Sequence, residues 1–206
     1  MKKYLSVINY GMGNLHSVIK SLQYLNIPAK ITDKNKEIKN SIGIILPGVG
    51  AFKDAMKELR IRKLINLIKE EVIVGKPILG ICLGMQLLFT ESYEFGRFQG
   101  LNFIKGKVIK FKTDLKVPHI GWNSVTFNKK SLLLKGIKNN SYFYFVHSYY
   151  CVPEDKKVIL TKTKYGNIIF ASGVEYKNIY GFQFHPEKSS ENALKIYKNF
   201  FEICKK

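Results

Sequence analysis

Arginine is nearly absent from a strongly basic chain. Only 3 of the 34 basic residues are arginine, against 15 acidic residues and a net charge of +19. A charge of that size suggests an anionic partner. Reading of bases and phosphates favours arginine, however, whose planar guanidinium makes paired bonds where an ammonium is a point charge. The chain is also rich in Ile, Asn, Tyr and Phe, so the lysine excess reads as a compositional bias on solvated faces. No nucleic-acid partner is expected.

Long apolar runs are missing too. No stretch approaches the roughly 20 residues of a membrane helix, and no membrane partner is expected. The opening residues, MKKYLSVINYGMGN, begin like a secretory leader, but Asn9 interrupts them and no small-residue cleavage site follows. They read as a first strand. The three cysteines are widely spaced and odd in number, which does not suit a disulfide framework. A reducing, cytoplasmic setting is expected. No metal and no organic cofactor are expected.

What is present is a βαβ rhythm. The 206 residues suffice for one well-packed domain and are short for two, so residues 1–206 read as a single domain. Strands are expected at 4–10, 29–32, 43–47 and 77–82. Helices are expected at 14–26, at 51–74 and directly after Cys82. From about residue 103 the rhythm changes to closely spaced strands (103–111, 142–146, 157–163, 168–174, 179–184), closed by an amphipathic helix at 189–204. The fold class is α/β, with a central, mostly parallel sheet, antiparallel additions and flanking helices.

Three segments carry chemistry. In PILGICLGMQLLF, Cys82 ends a strand and begins a helix within the pattern Gly80-Ile81-Cys82-Leu83-Gly84. This is the cysteine form of a nucleophile elbow, in which small flanking residues permit a strained turn that projects the central side chain. The helix start favours a thiolate, and the Leu83 N–H is available to an oxyanion. As a bare strand cysteine, Cys82 would instead be a buried, inert thiol. In YGFQFHPEKS, His185 precedes Pro186, which disfavours helix. Glu187, two residues on, lies on the same side of an extended segment. One ring nitrogen can therefore bond Glu187 while the other faces a thiol. In ILPGVGAF, Gly48 and Gly50 allow a turn that aims backbone N–H groups at the same sheet edge.

These segments, together with YGMGNLHSV (10–18), VPHIGWN (117–123) and YFVHSYY (144–150), resemble the class I glutamine amidotransferases. Within that superfamily, YGMGN combined with PHIGWN resembles the glutaminase subunits of imidazole glycerol phosphate synthase. The matches follow the family's order along nearly the whole chain. Asn9 is a departure, because the family usually carries Asp there. The strongly basic surface is another.

The resemblance implies a flavodoxin-like amidotransferase fold and a Cys82–His185–Glu187 triad. It implies oxyanion donors at Leu83 and near Val49, with the PGVG peptide reorienting when a partner binds. Gln86 and Glu94 would bind substrate glutamine, with its carboxylate at the backbone of Ser148 and Tyr149. Asn14, Trp122, Asn123 and Lys188 would face the partner, a (β/α)8-barrel cyclase subunit held as a heterodimer. That partner would use the ammonia to make imidazole glycerol phosphate in histidine biosynthesis. The alternative is the same glutaminase chemistry serving another synthase, such as one aminating or amidinating a cell-surface sugar. A dinucleotide-binding reading of INYGMGNLH, with Asp33 as the ribose acid, is weaker. His16 occupies the position where close helix–sheet packing needs glycine.

Overall fold

Buried strands and amphipathic helices alternate through the first 82 residues. The structure, a computed structural model, describes residues 3–206. The order is β1 (Leu5–Ile8), α1 (Leu15–Tyr24), β2 (Ala29–Thr32), α2 (Asn35–Asn40), β3 (Gly43–Gly48), α3 (Phe52–Ile61), α4 (Leu64–Ile73) and β4 (Ile78–Cys82). A short helix, α5 (Leu83–Leu87), follows at once. Then come β5 (Phe89–Ser92), β6 (Phe98–Gln99), β7 (Ile104–Lys110), β8 (His119–Phe127), β9 (Ser141–His147), β10 (Tyr149–Pro153), β11 (Ile159–Tyr165), β12 (Ile168–Tyr176) and β13 (Ile179–Phe182), before α6 (Glu191–Cys204).

Nine strands form one sheet in the order β2-β1-β3-β4-β13-β12-β11-β8-β9. The first five are mutually parallel and the rest add antiparallel. Every residue of β1, β3 and β4 is buried, as strands covered on both faces require. Alternation sends Ile44, Leu46 and Ile78 into the core beneath α2–α5. It sends Ile45, Leu79 and Ile81 into the opposite core, beneath α1 and α6. A smaller sheet, β10-β7-β5-β6, packs beside the first core. The outer edge of β9 does not stay open. The backbone N–H of His185 donates to the Tyr144 carbonyl at 3.0 Å, and the Tyr144 N–H donates to Ser189 Oγ at 2.9 Å. The segment after β13 is thereby tied to β9.

Several expectations need correction. The helix at 51–74 is two helices, broken at Lys63, whose φ of 57° is left-handed. The buried positions Phe52, Ala55, Met56 and Leu59 would continue at position 63, but Leu64 is the next buried apolar side chain, and the left-handed Lys63 absorbs the slip. The helix after Cys82 has only five residues, so its dipole is short. The final helix starts at Glu191, after a 3-10 turn at Pro186–Lys188. Strands β5, β6, β8 and β10, and with them the second sheet, were not anticipated.

Candidate active site

β3 and β4 end side by side, with Gly48 paired to Cys82. Cys82 has φ 55° and ψ −111°, backbone that a side-chain-bearing residue rarely adopts and that costs about 1–3 kcal/mol. The flanking glycines explain how it is tolerated. A Cβ on Gly80 would lie 2.6 Å from the Gly84 carbonyl oxygen, and one on Gly84 would collide with the carbonyl oxygen of Leu46. α5 therefore sits directly on the strand ends, with the Leu83 N–H in the first turn, where helix N–H groups lack intrahelical acceptors. Nearby, the Tyr10 hydroxyl donates to the Pro47 carbonyl at 2.8 Å and fixes the peptide leading into Val49 and Gly50.

His185 is almost wholly buried. Its Nδ1 lies 2.7 Å from Glu187 Oε1, and Glu187 Oε2 accepts from the Tyr197 hydroxyl at 3.2 Å. Ser189 Oγ donates to the His185 carbonyl at 2.7 Å. Three elements thus hold the imidazole. Its Nε2 is buried without a partner at ordinary hydrogen-bond geometry, and the neighbour it senses is Cys82, in a looser contact. Such contacts commonly tighten when substrate fills a site. Burial opposes the imidazolium. The charge of an ionised Cys82 and its contact with the ring outweigh that, with Glu187 adding to them, and the imidazole pKa rises to about 10.

The two side chains meet in a cleft of about 400 Å³, whose lining includes Val49, Leu83, Gln86, Glu94, Ser148, Tyr149 and Lys188. Gln86 Nε2 donates to the Tyr149 carbonyl and to Gln183 Oε1, both at 3.0 Å. Both amide hydrogens are engaged, so only its oxygen is left for a ligand. The Ser148 carbonyl already accepts from the Phe111 N–H at 3.0 Å, so an anion could use only N–H groups of this segment. Glu94 accepts from the Phe52 N–H, at the start of α3, at 2.6 Å. Burial raises its carboxyl pKa, the Phe52 bond lowers it, and Asp54 raises it, for a net rise.

The residues expected on the partner face sit on separate elements, of which α1 packs against the 3-10 turn that carries Lys188. Trp122 is 53% exposed. Asn123, the next residue of β8, points to the other face, where its amide nitrogen meets the Lys164 carbonyl at 2.9 Å and His119 Nε2 at 3.2 Å. Asn14 caps α1, its side-chain oxygen accepting from the Ser17 N–H at 3.3 Å. Lys188 lines the cleft itself. Asn9 Oδ1 accepts from the Gly11 N–H at 3.2 Å, an Asx turn that Asp would form equally well. Asp33 is ion-paired with Arg62. Sequence reasoning passed over Gln183, Tyr197, Ser189 and the His119–His147 pair. Only the two-residue spacing of Gln183 and His185 could have pointed to any of them.

Four of the lysines gather at one place, beside the acidic Glu202. Lys135, Lys195, Lys198 and Lys206 line one groove between α6 and the 132–136 turn. No described helix is long and apolar enough to cross a membrane.

Comparison with known proteins gives the family and the fold. The glutamine amidotransferase class-I family model matches residues 6–204. Imidazole glycerol phosphate synthase subunit HisH of Caldanaerobacter subterraneus is 51% identical over 201 residues, 98% of each chain. The HisH protein of Aquifex aeolicus is 49% identical over 195 residues, 94% of each chain. Among solved structures, a glutamine amidotransferase superposes with TM-score 0.77 at 17% identity, over 98% of this chain and 99% of its own. A chain of PurLQS from Thermotoga maritima does so with TM-score 0.74 at 18% identity, over 98% of this chain and 99% of its own. Both share the fold. By its family match and its identity to the HisH proteins, the chain belongs to the class I glutamine amidotransferases and, within them, to the family of the imidazole glycerol phosphate synthase subunit HisH.

Proposed function

We propose that this chain hydrolyses glutamine through Cys82, His185 and Glu187 and delivers the ammonia to a synthase partner. The observation that carries the reading is the buried His185–Glu187 pair, set against a cysteine in strained backbone at the floor of a cleft. Cys82 sulfur attacks the side-chain amide carbon, and His185 transfers the thiol proton to the departing nitrogen. Ammonia leaves and a glutamyl thioester remains. Water then attacks with its proton taken by His185, the C–S bond breaks, and glutamate and the free thiol result. Glu187 orients the ring and balances the imidazolium.

The Leu83 N–H and the Val49 N–H are the proposed oxyanion donors. Gln86 Oε1 and the Glu94 carboxylate suit the donors of substrate glutamine, and N–H groups at Ser148 and Tyr149 suit its carboxylate. The partner is proposed to be a (β/α)8-barrel cyclase making imidazole glycerol phosphate in the cytoplasm; the names of the relatives support the synthase part of that reading. Its docking face would be the outer side of β8–β9. There Ile120, Trp122 and Tyr142 are exposed, and the same face reaches the cleft at Val146. The test is reconstitution with the cyclase encoded by the same genome. Glutamine-dependent formation of imidazole glycerol phosphate is expected. Glutamine turnover with a different aminated product would overturn the histidine assignment.

A further inference from the structure

A polar chain, exposed at its Asn123 end and buried at its glutamines, runs from β8 to the sulfur of Cys82, and its ends fix the position of every proton in it. The Lys164 carbonyl can only accept, so the amide nitrogen of Asn123 faces it, at 2.9 Å. The same nitrogen donates to His119 Nε2 at 3.2 Å. An accepting ring nitrogen places the proton on the other one, so His119 Nδ1 donates to His147 Nε2, 3.0 Å away. His147 therefore carries its own proton on Nδ1 and donates to the Tyr149 carbonyl at 2.8 Å. From its other side this carbonyl dictates the orientation of two glutamines. Gln86 presents nitrogen to it and therefore nitrogen to Gln183 Oε1 as well. With its oxygen so engaged, Gln183 presents Nε2 to Cys82 Sγ at 3.7 Å. Flipping Gln183 would set two amide nitrogens against each other in a wholly buried place.

We propose that Gln183 holds the Cys82 thiolate, its amide N–H locked towards the sulfur by Gln86 and the Tyr149 carbonyl and independent of His185. As a thiol, Cys82 can donate to the Val146 carbonyl at 3.9 Å. Ionisation removes that bond, while the Gln183 bond strengthens because its acceptor becomes charged. The fixed donor therefore favours the ionised form. It adds no charge that would compete with the His185 imidazolium. Gln183 and His185 are two residues apart, just beyond the end of β13, and both reach the same sulfur. Only its role in catalysis rests on Cys82 being the nucleophile of the reaction above.

The test is the pH dependence of Cys82 alkylation by iodoacetamide in the full chain, with the site read by peptide mapping. Gln183→Met keeps the volume and removes the donor. Its alkylation midpoint should rise by about one pH unit, the size of a hydrogen bond to a charged acceptor. Near-UV circular dichroism and the thermal midpoint report separately on folding. Gln183→Glu, which keeps an oxygen for Gln86, should move the midpoint the same way and serves if the methionine variant does not fold. An unchanged midpoint in a folded variant would overturn the proposal. This readout needs no glutamine. A shifted midpoint in a chain that never hydrolyses glutamine would leave the Gln183 inference standing and the glutaminase reading fallen.

Discussion

Three side chains define the chemistry expected here, and they do not fail equally when changed. Cys82→Ser should abolish glutamine-dependent synthesis by the complex but spare synthesis from added ammonium salt, because this chain only generates ammonia. Loss of both would show that Cys82 also supports the partner. His185→Ala should match it. Glu187→Gln should be milder, since it weakens orientation without removing the base. A glutamine-like electrophile should label Cys82 alone. Cys151 is buried and burial pushes its thiol pKa well up, and the Cys204 thiol is raised by the same cause. Mapping the label to Cys151 would refute the assignment of the nucleophile.

Individual elements carry a pH signature of two opposite signs. Burial lowers the pKa of His119 to about 4. It lowers that of His147 to about 3 as well, helped by His119 and His185 and opposed by the Tyr149 bond. Both rings lie among Phe111, Phe145 and Phe170, and His119 also stacks on Tyr165. Below the ordinary value of 6.5 the unfolded chain takes up protons that the folded chain refuses, so stability is lost as pH falls through that window. His185 runs the other way. Its raised pKa contributes stability that is complete below 6.5 and is lost as pH rises towards about 10. Urea midpoints should therefore peak near neutral pH. Cys82→Ala should flatten the alkaline limb, because Cys82 is the largest cause raising His185. An alkaline limb unchanged in that variant would refute the coupling. The elbow is equally sharp in its demands. Gly84→Ala drives a methyl into the Leu46 carbonyl and should cost about 3 kcal/mol or more in denaturant unfolding.

At the scale of the whole molecule, activity is expected to depend on a second protein. The Val49 peptide lies at the cleft's rim, just beyond the end of β3 and beside Gly50 at φ +96°. Aligning its N–H when the partner docks would couple the two sites. Adding the cyclase with its nucleotide ligand should raise glutamine hydrolysis at least tenfold, since one oxyanion donor is worth about 10²–10³ in rate. Trp122→Ala should blunt that response without lowering the thermal midpoint. A chain fully active alone would instead indicate a free-standing hydrolase. The lysine groove beside α6 should hold DNA only weakly, with binding gone by about 0.2 M salt. Retention above that concentration would give the groove a function of its own.

The sequence by itself determined the parallel half of the sheet, the elbow at Cys82 and the pairing of His185 with Glu187. The first two depend on short-range rules: fully apolar strands, and glycines two residues either side of a strained turn; the third forms across a 3-10 turn at Pro186–Lys188 and not on the extended segment expected. Only the tertiary structure decided the rest. Strand β8 has weak alternation, with Gly121 and Asn123 interrupting it, and it is recognisable only through its pairing with β9. The bonds of Asn123 to Lys164 and His119 were not legible, because sequence cannot show what the face of a strand will meet. The split between α3 and α4 was missed, because it depends on the left-handed Lys63, whose backbone nothing in its side chain announces. Gln183 was invisible as a functional residue for a similar reason. Its orientation is imposed by a carbonyl at residue 149 and an amide at residue 86, and folding alone brings those groups within hydrogen-bond distance.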